Sequence, residues 1–174
     1  MYGRILVGID GSEMSDAAVT EALKLAKAQR ANVRLVHAAE VLPPAGLEPS
    51  YIDYELFRQS ALKAGRAFVH HAESLARHAG HDVESAVVEV SAHDISGAII
   101  EDAVRWRADL IVIGTHGRSG LERIFLGSVA ESVGRHAPVP VLLVKRPAPA
   151  KPAARTRKTG RPPAKLARRS RRST

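Results

Sequence analysis

At 174 residues the chain has room for one domain and an extension, and its 45% hydrophobic content is enough for a core. The absence of cysteine excludes disulfides, thiolate nucleophiles and cysteine zinc sites. The net charge of +8 belongs to the end of the chain: residues 147–174 hold ten Lys or Arg and no acid, so the first 146 residues carry −2 and lack the electrostatic footprint of a nucleic-acid-binding body.

Aromatic residues make up only 4% of the chain. The core must then be Val, Ile, Leu and Ala, which suits a parallel sheet covered by Ala-rich helices. Arg4 to Asp10 reads as a buried strand meeting an Asp-Gly-Ser turn. No signal-peptide pattern precedes it and no apolar run is long enough to span a bilayer, so a cytoplasmic location is expected. Ser12 or Ser15 caps a helix running to about Arg30, with Val19, Ala22, Leu23 and Ala26 at helical spacing. Asn32 to Ala39 is a second strand, and the proline-rich residues 40–50 form a loop. A long helix follows from about Ile52 to Ala79, with Phe57, Ala61, Ala64, Phe68, Leu75 and Ala79 on one face and Gly80 as its stop. Val83 to Val90 is a strand whose Glu84 and Glu89 suggest a partly exposed edge. Ile95 to Arg107 is a helix presenting Ile95, Ala98, Ile99 and Trp106. Leu110 to Thr115 is apolar throughout and should be central. A loop from His116 to Gly127, a short helix from Ser128 to His136 and a last strand from Val139 to Lys145 complete the body.

Strand and helix alternate five times. With right-handed crossovers this makes an α/β fold: a five-stranded parallel sheet, order 3-2-1-4-5, with helices on both faces. Ligands of such sheets sit beyond the carboxyl ends of the strands where the order reverses. Here that brings Gly8-Ile9-Asp10 beside Gly114-Thr115. The last strand, Val139 to Lys145, is an edge that is apolar on both faces, with Pro140 near its start. Such an edge needs a cover. A second subunit is the expected cover, giving a homodimer; a loop or the tail is the other.

The informative segment runs from Gly114 to Ser128, between a strand end and a helix start. Glycines there let backbone amides converge on an anion, and a helix start adds positive potential. Ser128 can donate a hydroxyl to a phosphate and Arg118 can reach it from the side. The same residues have a plainer reading. Gly114 is also a tight turn, and Ser128 with Glu131 is also the S-x-x-E capping box, which needs no ligand. No Gly-Lys-Ser/Thr of a Walker loop is present.

The spacing Gly114-x2-Gly117-x9-Gly127-Ser128 resembles the glycine pattern of ATP-binding universal stress proteins. The likeness extends from ILVGIDGS through LVHAAEV to the segment ADLIVIGTHGRSGLERIFLGSVAESVGRHAPVPVLLVK, and so covers residues 2 to about 146. It implies an adenine nucleotide α-hydrolase-like body over 1–146, a nucleotide-dependent stress-response role and a homodimer, often through the last strand. It implies that Asp10 contacts adenosine, Gly8 lines the adenine pocket and Ala38 offers backbone contacts to the base. Gly114, Thr115, His116, Gly117, Arg118, Ser119 and Gly120 would wrap the ribose and phosphates. Gly127, Ser128, Val129 and Ala130 would hold the phosphates at the helix start. One turn departs from the pattern: Ser91-Ala92-His93-Asp94 stands where many relatives have Gly-Asp/Asn-Pro, though Ser91 with Asp94 still resembles a helix cap.

Asp10 would hold Mg2+ or Mn2+ through the bound nucleotide, or else cap the first helix beside Ser12. His116 is a ribose or phosphate contact, or a turn residue. The densest histidines, His70, His71, His78 and His81, read as exposed helix residues, and the His spacings match no strong metal signature. No triad or paired-carboxylate pattern is evident, so any ATP hydrolysis is expected to be slow. Residues 147–174, rich in Pro, Ala, Lys and Arg, are expected to be a disordered tail. Gly160-Arg161-Pro162 resembles the core of AT-hook peptides, with Thr159 in place of the preceding arginine. The tail either binds DNA, RNA, anionic membrane or another polyanion, or only solubilises. A nucleic-acid-associated protein acting through it is the alternative to the nucleotide reading.

Overall fold

Five runs of Val, Ile and Leu become the strands, and the Ala-rich segments between them become the helices. The computed structural model describes residues 1–41, 53–90, 94–115 and 126–145. The elements are β1 (Arg4–Gly8), α1 (Glu13–Gln29), β2 (Asn32–Glu40), α2 (Tyr54–His78), β3 (Glu84–Val90), α3 (Ile95–Trp106), β4 (Leu110–Gly114), α4 (Ser128–His136) and β5 (Val141–Val144). The sheet has the expected order, β3-β2-β1-β4-β5, and every pairing is parallel. The chain steps outward from β1 to β3, then returns to the other side of β1 with β4. Val7 therefore pairs with both Leu35 and Val112.

The period of two along the strands divides the core. Ile5, Val7 and Ile9 pack with Val19, Ala22 and Leu23 of α1 and with Val69 and Ala72 of α2. Leu6, Val36 and Ile111 face the other way, onto Ile99 and Ala103 of α3 and Val133 of α4. Two helices thus cover each face.

Caps set the helix limits. Ser12, not Ser15, caps α1: its Oγ accepts from the Ser15 amide at 3.1 Å. Asp53 caps α2, accepting from Leu56 N at 2.9 Å. Gly80, with φ +76°, ends it, and the His81 amide returns to Ala76 O at 3.0 Å. The buried stripe of α2 differs from the expected one. Gly65, Val69, Ala72 and Ala76 enter the core, while Phe57, Ala61 and Phe68 are half-buried and Ala64 and Ala79 are exposed. The last strand is also shorter than its apolar run. Pro140 precedes it, and there its missing N–H costs no ladder bond while its carbonyl accepts from Ile111 N at 3.0 Å. Leu142 and Leu143, neighbours that point to opposite faces, are each 36% exposed. The other edge is guarded by charge: Glu89 of β3 takes both arms of Arg58, at 2.6 and 2.9 Å. Hydrogen bonding to Arg58 holds the Glu89 carboxyl below its ordinary pKa.

Away from the carboxyl ends of the strands, a buried charge pair joins sheet to helix. Asp102 of α3 is 1% exposed and receives Arg34 of β2 bidentately, at 2.7 and 3.2 Å. Removing one partner of such a pair strands the other. Arg34→Ala is expected to destabilise the fold by about 3 kcal/mol, the low end of the range because Arg34 keeps some water contact. Urea denaturation would measure it, and an unchanged midpoint would show that water, or Arg105 at 3.8 Å from Asp102, replaces the guanidinium without penalty.

Candidate functional site

The topology puts the ends of β1 and β4 side by side, and each ends in a turn that glycine makes possible. Past β1 the ladder continues for one residue, Ile9 N donating to Val36 O at 2.9 Å. Asp10 follows. Its Oδ1 accepts from the Ser12 amide at 3.0 Å and the Ser12 hydroxyl at 2.6 Å. Asp10 therefore braces the α1 cap without being the cap itself. Its Oδ2 has no partner among the described residues. Gly11, at φ +77°, makes the reversal between them.

At the end of β4 the chain runs very close to α1. A Cβ on Gly114 would lie 2.7 Å from Met14 Cγ and 3.1 Å from Met14 O. Glycine here is demanded by packing, whatever binds nearby. Thr115, 1% exposed, donates its amide to Val144 O at 2.9 Å and accepts from the Gly127 amide at 2.8 Å. This clasp ties the end of β4, the end of β5 and the start of α4 together. His116, Gly117, Arg118, Ser119 and Gly120 lie between its halves, outside the described residues.

The capping box on Ser128 and Glu131 does not form. Gly127 is the N-cap, at φ −58° and ψ 143°, with no side-chain bond to the helix. Drawing the Gly127 amide to Thr115 sets Ser128 one position inside the helix, where its hydroxyl cannot act as cap. Glu131 N bonds Gly127 O at 2.8 Å. The amides of Ser128, Val129 and Ala130 have no partner among the described residues. Helix starts left open in this way carry partial positive charge. α4 is held in place by Ser132, whose hydroxyl donates to Ser96 Oγ at 2.8 Å; Ser96 donates in turn to Asp94, the α3 cap. Ser91, the other half of the expected cap, lies outside the described residues.

These parts enclose a cleft of about 440 Å³, within the usual range for small-molecule sites. Gly8, Asp10 and Ala38 line it from β1 and β2; Gly114, Thr115, Gly127, Ser128, Val129 and Ala130 line it from β4 and α4. Its wall also holds residues that sequence reasoning did not assign to a site. Phe57, Ala61, Ala64 and Phe68, expected as the core stripe of α2, face the cleft instead. Ile95, Ile99 and Ile113 add an apolar surface. His37, 8% exposed, is hydrogen-bonded through Nδ1 to Ile9 O at 2.8 Å and meets the Phe68 ring edge-on at 5.2 Å. Its ring fills the space a side chain on Gly65 would need, 2.6 Å from that Cβ.

No group of three or more His, Cys, Asp or Glu among the described residues could hold a metal ion. The dense histidines of α2 serve locally, His71 pairing with Asp16 at 3.0 Å and His78 with Ser74 O at 2.6 Å. No helix among the described residues is long and apolar enough to cross a membrane.

A family model described as Universal stress protein family matches residues 1–145. Universal stress protein MJ0531 of Methanocaldococcus jannaschii is 37% identical over 148 residues, 84% of each chain. A solved universal stress protein in complex with cAMP is 30% identical with a TM-score of 0.61, covering 82% of this chain and 97% of that one. The universal stress protein from Archaeoglobus fulgidus in complex with dAMP is 25% identical with a TM-score of 0.61, covering 83% and 98%.

Proposed function

Because the chain belongs to the universal stress protein family, we propose that its cleft binds an adenine nucleotide, ATP foremost, and that occupancy biases a surface read by a partner in a stress response. The observation that carries this reading is the open start of α4. Three amides without a partner among the described residues belong to a cleft lining that also offers Asp10 and an apolar wall. The complexes of relatives with cAMP and dAMP support the choice of adenine. Phosphates lie at Gly127, Ser128, Val129 and Ala130. His116, Gly117, Arg118, Ser119 and Gly120 complete the wrap with Gly114 and Thr115, and Gly8, Asp10 and Ala38 flank adenosine.

The energies suffice. Hydrogen bonds to a charged group contribute about 1.5–3 kcal/mol each. Micromolar affinity requires about 8 kcal/mol net. Three amides and a hydroxyl supply much of that before any apolar burial of the base. Asp10 and Glu40 are separate carboxylates on the cleft wall, so a Mg2+ or Mn2+ would be held chiefly by the nucleotide's own phosphates, with Asp10 assisting. Binding, with at most slow hydrolysis, is the proposed activity.

Isothermal titration of the full chain with ATP is expected to show micromolar binding that Ser128→Ala weakens severalfold. No heat at millimolar ATP, AMP or cAMP would end the reading. We also propose a homodimer through the 139–145 edge, in the cytoplasm, with residues 1–146 as the working body and 147–174 as a separate extension. The exposed Leu142 and Leu143 support that interface. Leu142→Lys is expected to shift the sedimenting species from dimer to monomer; a monomeric unmodified chain would remove the proposal.

A further inference from the structure

Ser15 carries a hydroxyl that the fold buries against the cleft. It lies in the first turn of α1, where Ser12 has taken the capping role. The close approach of Met14 to Gly114 holds this turn against the end of β4. Ser15 is thereby only 4% exposed, yet it lines the cleft together with Asp10. Its Oγ accepts from Asp10 N at 3.3 Å. Its own hydrogen has no acceptor among the described residues.

Thr20 shows the usual outlet for such a hydrogen. A hydroxyl within a helix can return it to the carbonyl four residues back. Thr20 does so, donating to Asp16 O at 2.9 Å. For Ser15 that carbonyl belongs to Gly11, which at φ +77° lies in the turn before the helix. No bond joins the two. A buried donor without a partner is costly. On a cleft wall it calls for an acceptor from whatever fills the cleft.

The neighbouring groups select that acceptor. Asp10 Oδ1 is occupied by Ser12, and Oδ2 has no partner among the described residues. The end of β1 therefore presents a donor on Ser15 close to an acceptor on Asp10. A phosphate oxygen only accepts, and the carboxylate sets a like charge against it. A sugar hydroxyl both accepts and donates. We propose that Ser15 is a binding residue of the cleft, its hydroxyl donating to a ribose hydroxyl that in turn donates to Asp10 Oδ2. This rests on adenine-nucleotide binding in the cleft and adds a sugar contact to it.

Calorimetric titration of the full chain with ATP, 2′-deoxyATP and 3′-deoxyATP tests it. One of the deoxy nucleotides is expected to bind about tenfold more weakly than ATP, because its missing hydroxyl leaves a donor and an acceptor unpaired. Which one it is identifies the hydroxyl that Ser15 meets. Ser15→Ala is expected to weaken ATP about fivefold and to leave that deoxy nucleotide within about twofold of its former affinity. In an Asp10→Ala chain, Ser15→Ala should still weaken ATP severalfold, since its contact is direct. Equal affinity of the unmodified chain for all three nucleotides overturns the proposal, and that result needs no variant to fold. So does an equal loss of all three in Ser15→Ala, as a phosphate contact or a distorted cleft would give. An unchanged ATP affinity in Ser15→Ala also overturns it, leaving the hydroxyl to water. No further loss in the Asp10→Ala chain overturns it too, since Ser15 would then only support the carboxylate. In each of these cases ATP still binds the unmodified chain, so the nucleotide reading stands. No heat with any of the three removes both.

Discussion

Replacing Gly127 with aspartate is expected to raise the stability of the body and to weaken adenine-nucleotide binding at least 100-fold. The two effects share one cause. Gly127 sits at φ −58° and ψ 143°, a backbone that any L-residue adopts, and contributes no side-chain bond to α4. An aspartate there accepts from the amides of Val129 and Ala130, which have no partner among the described residues. Capping and the helix dipole together are worth about 0.5–1 kcal/mol of stability. The same carboxylate occupies the donors that a phosphate would use and sets a like charge against it. Losing two charge-assisted bonds at about 1.5–3 kcal/mol each exceeds the roughly 2.8 kcal/mol that a 100-fold change represents. Thermal denaturation and titration with ATP measure the pair of effects. A variant that melts higher yet binds within threefold of the original would mean that phosphates go elsewhere. A merely misfolded variant would melt lower.

The aspects legible from sequence were those governed by local pattern. LIVIG has no polar interruption, and a strand buried on both faces needs none, so β4 was central from its sequence and is. The glycines at 114 and 127 marked the turn that the topology brings opposite Asp10. Periodicity failed where it could not say what an apolar stripe faces. Phe57, Ala61, Ala64 and Phe68 repeat like a core stripe, but the cleft lies before them and the core takes Gly65, Val69 and Ala72 instead. Motif reading failed where a distant bond moved a boundary. Ser128 and Glu131 have the spacing of a capping box, but the bond from Gly127 N to Thr115 O makes glycine the cap. His37 and Arg34 carried no local signal, because their partners Ile9, Phe68 and Asp102 are remote in sequence.

Gly11→Ala is expected to be among the most damaging single-methyl additions to the body, at about 2–5 kcal/mol. Two separate costs meet there. The residue holds φ +77°, a left-handed conformation that costs a residue with a Cβ about 1–2 kcal/mol. The added Cβ would also fall within 3 Å of three ring atoms of Phe68. Toward His37 that ring cannot yield, since the two meet at 5.2 Å and His37 is bonded to Ile9 O, so it must be pushed into the cleft. Overpacking of this kind costs about 1–3 kcal/mol. A double-mutant cycle separates the terms. In a Phe68→Ala background the steric part vanishes and only the backbone part, about 1–2 kcal/mol, should remain. Urea denaturation of the four proteins gives the coupling directly. Equal penalties in both backgrounds would show that the turn, and not the ring, forbids a side chain. The consequence also reaches the cleft. Gly11 stands between Asp10 and the Ser12 cap, and Phe68 lines the cavity, so relief of the clash by any route shifts either the carboxylate or the aromatic wall. Nucleotide affinity should therefore fall in Gly11→Ala by more than its loss of folded protein explains, when measured at a temperature where the variant remains fully folded.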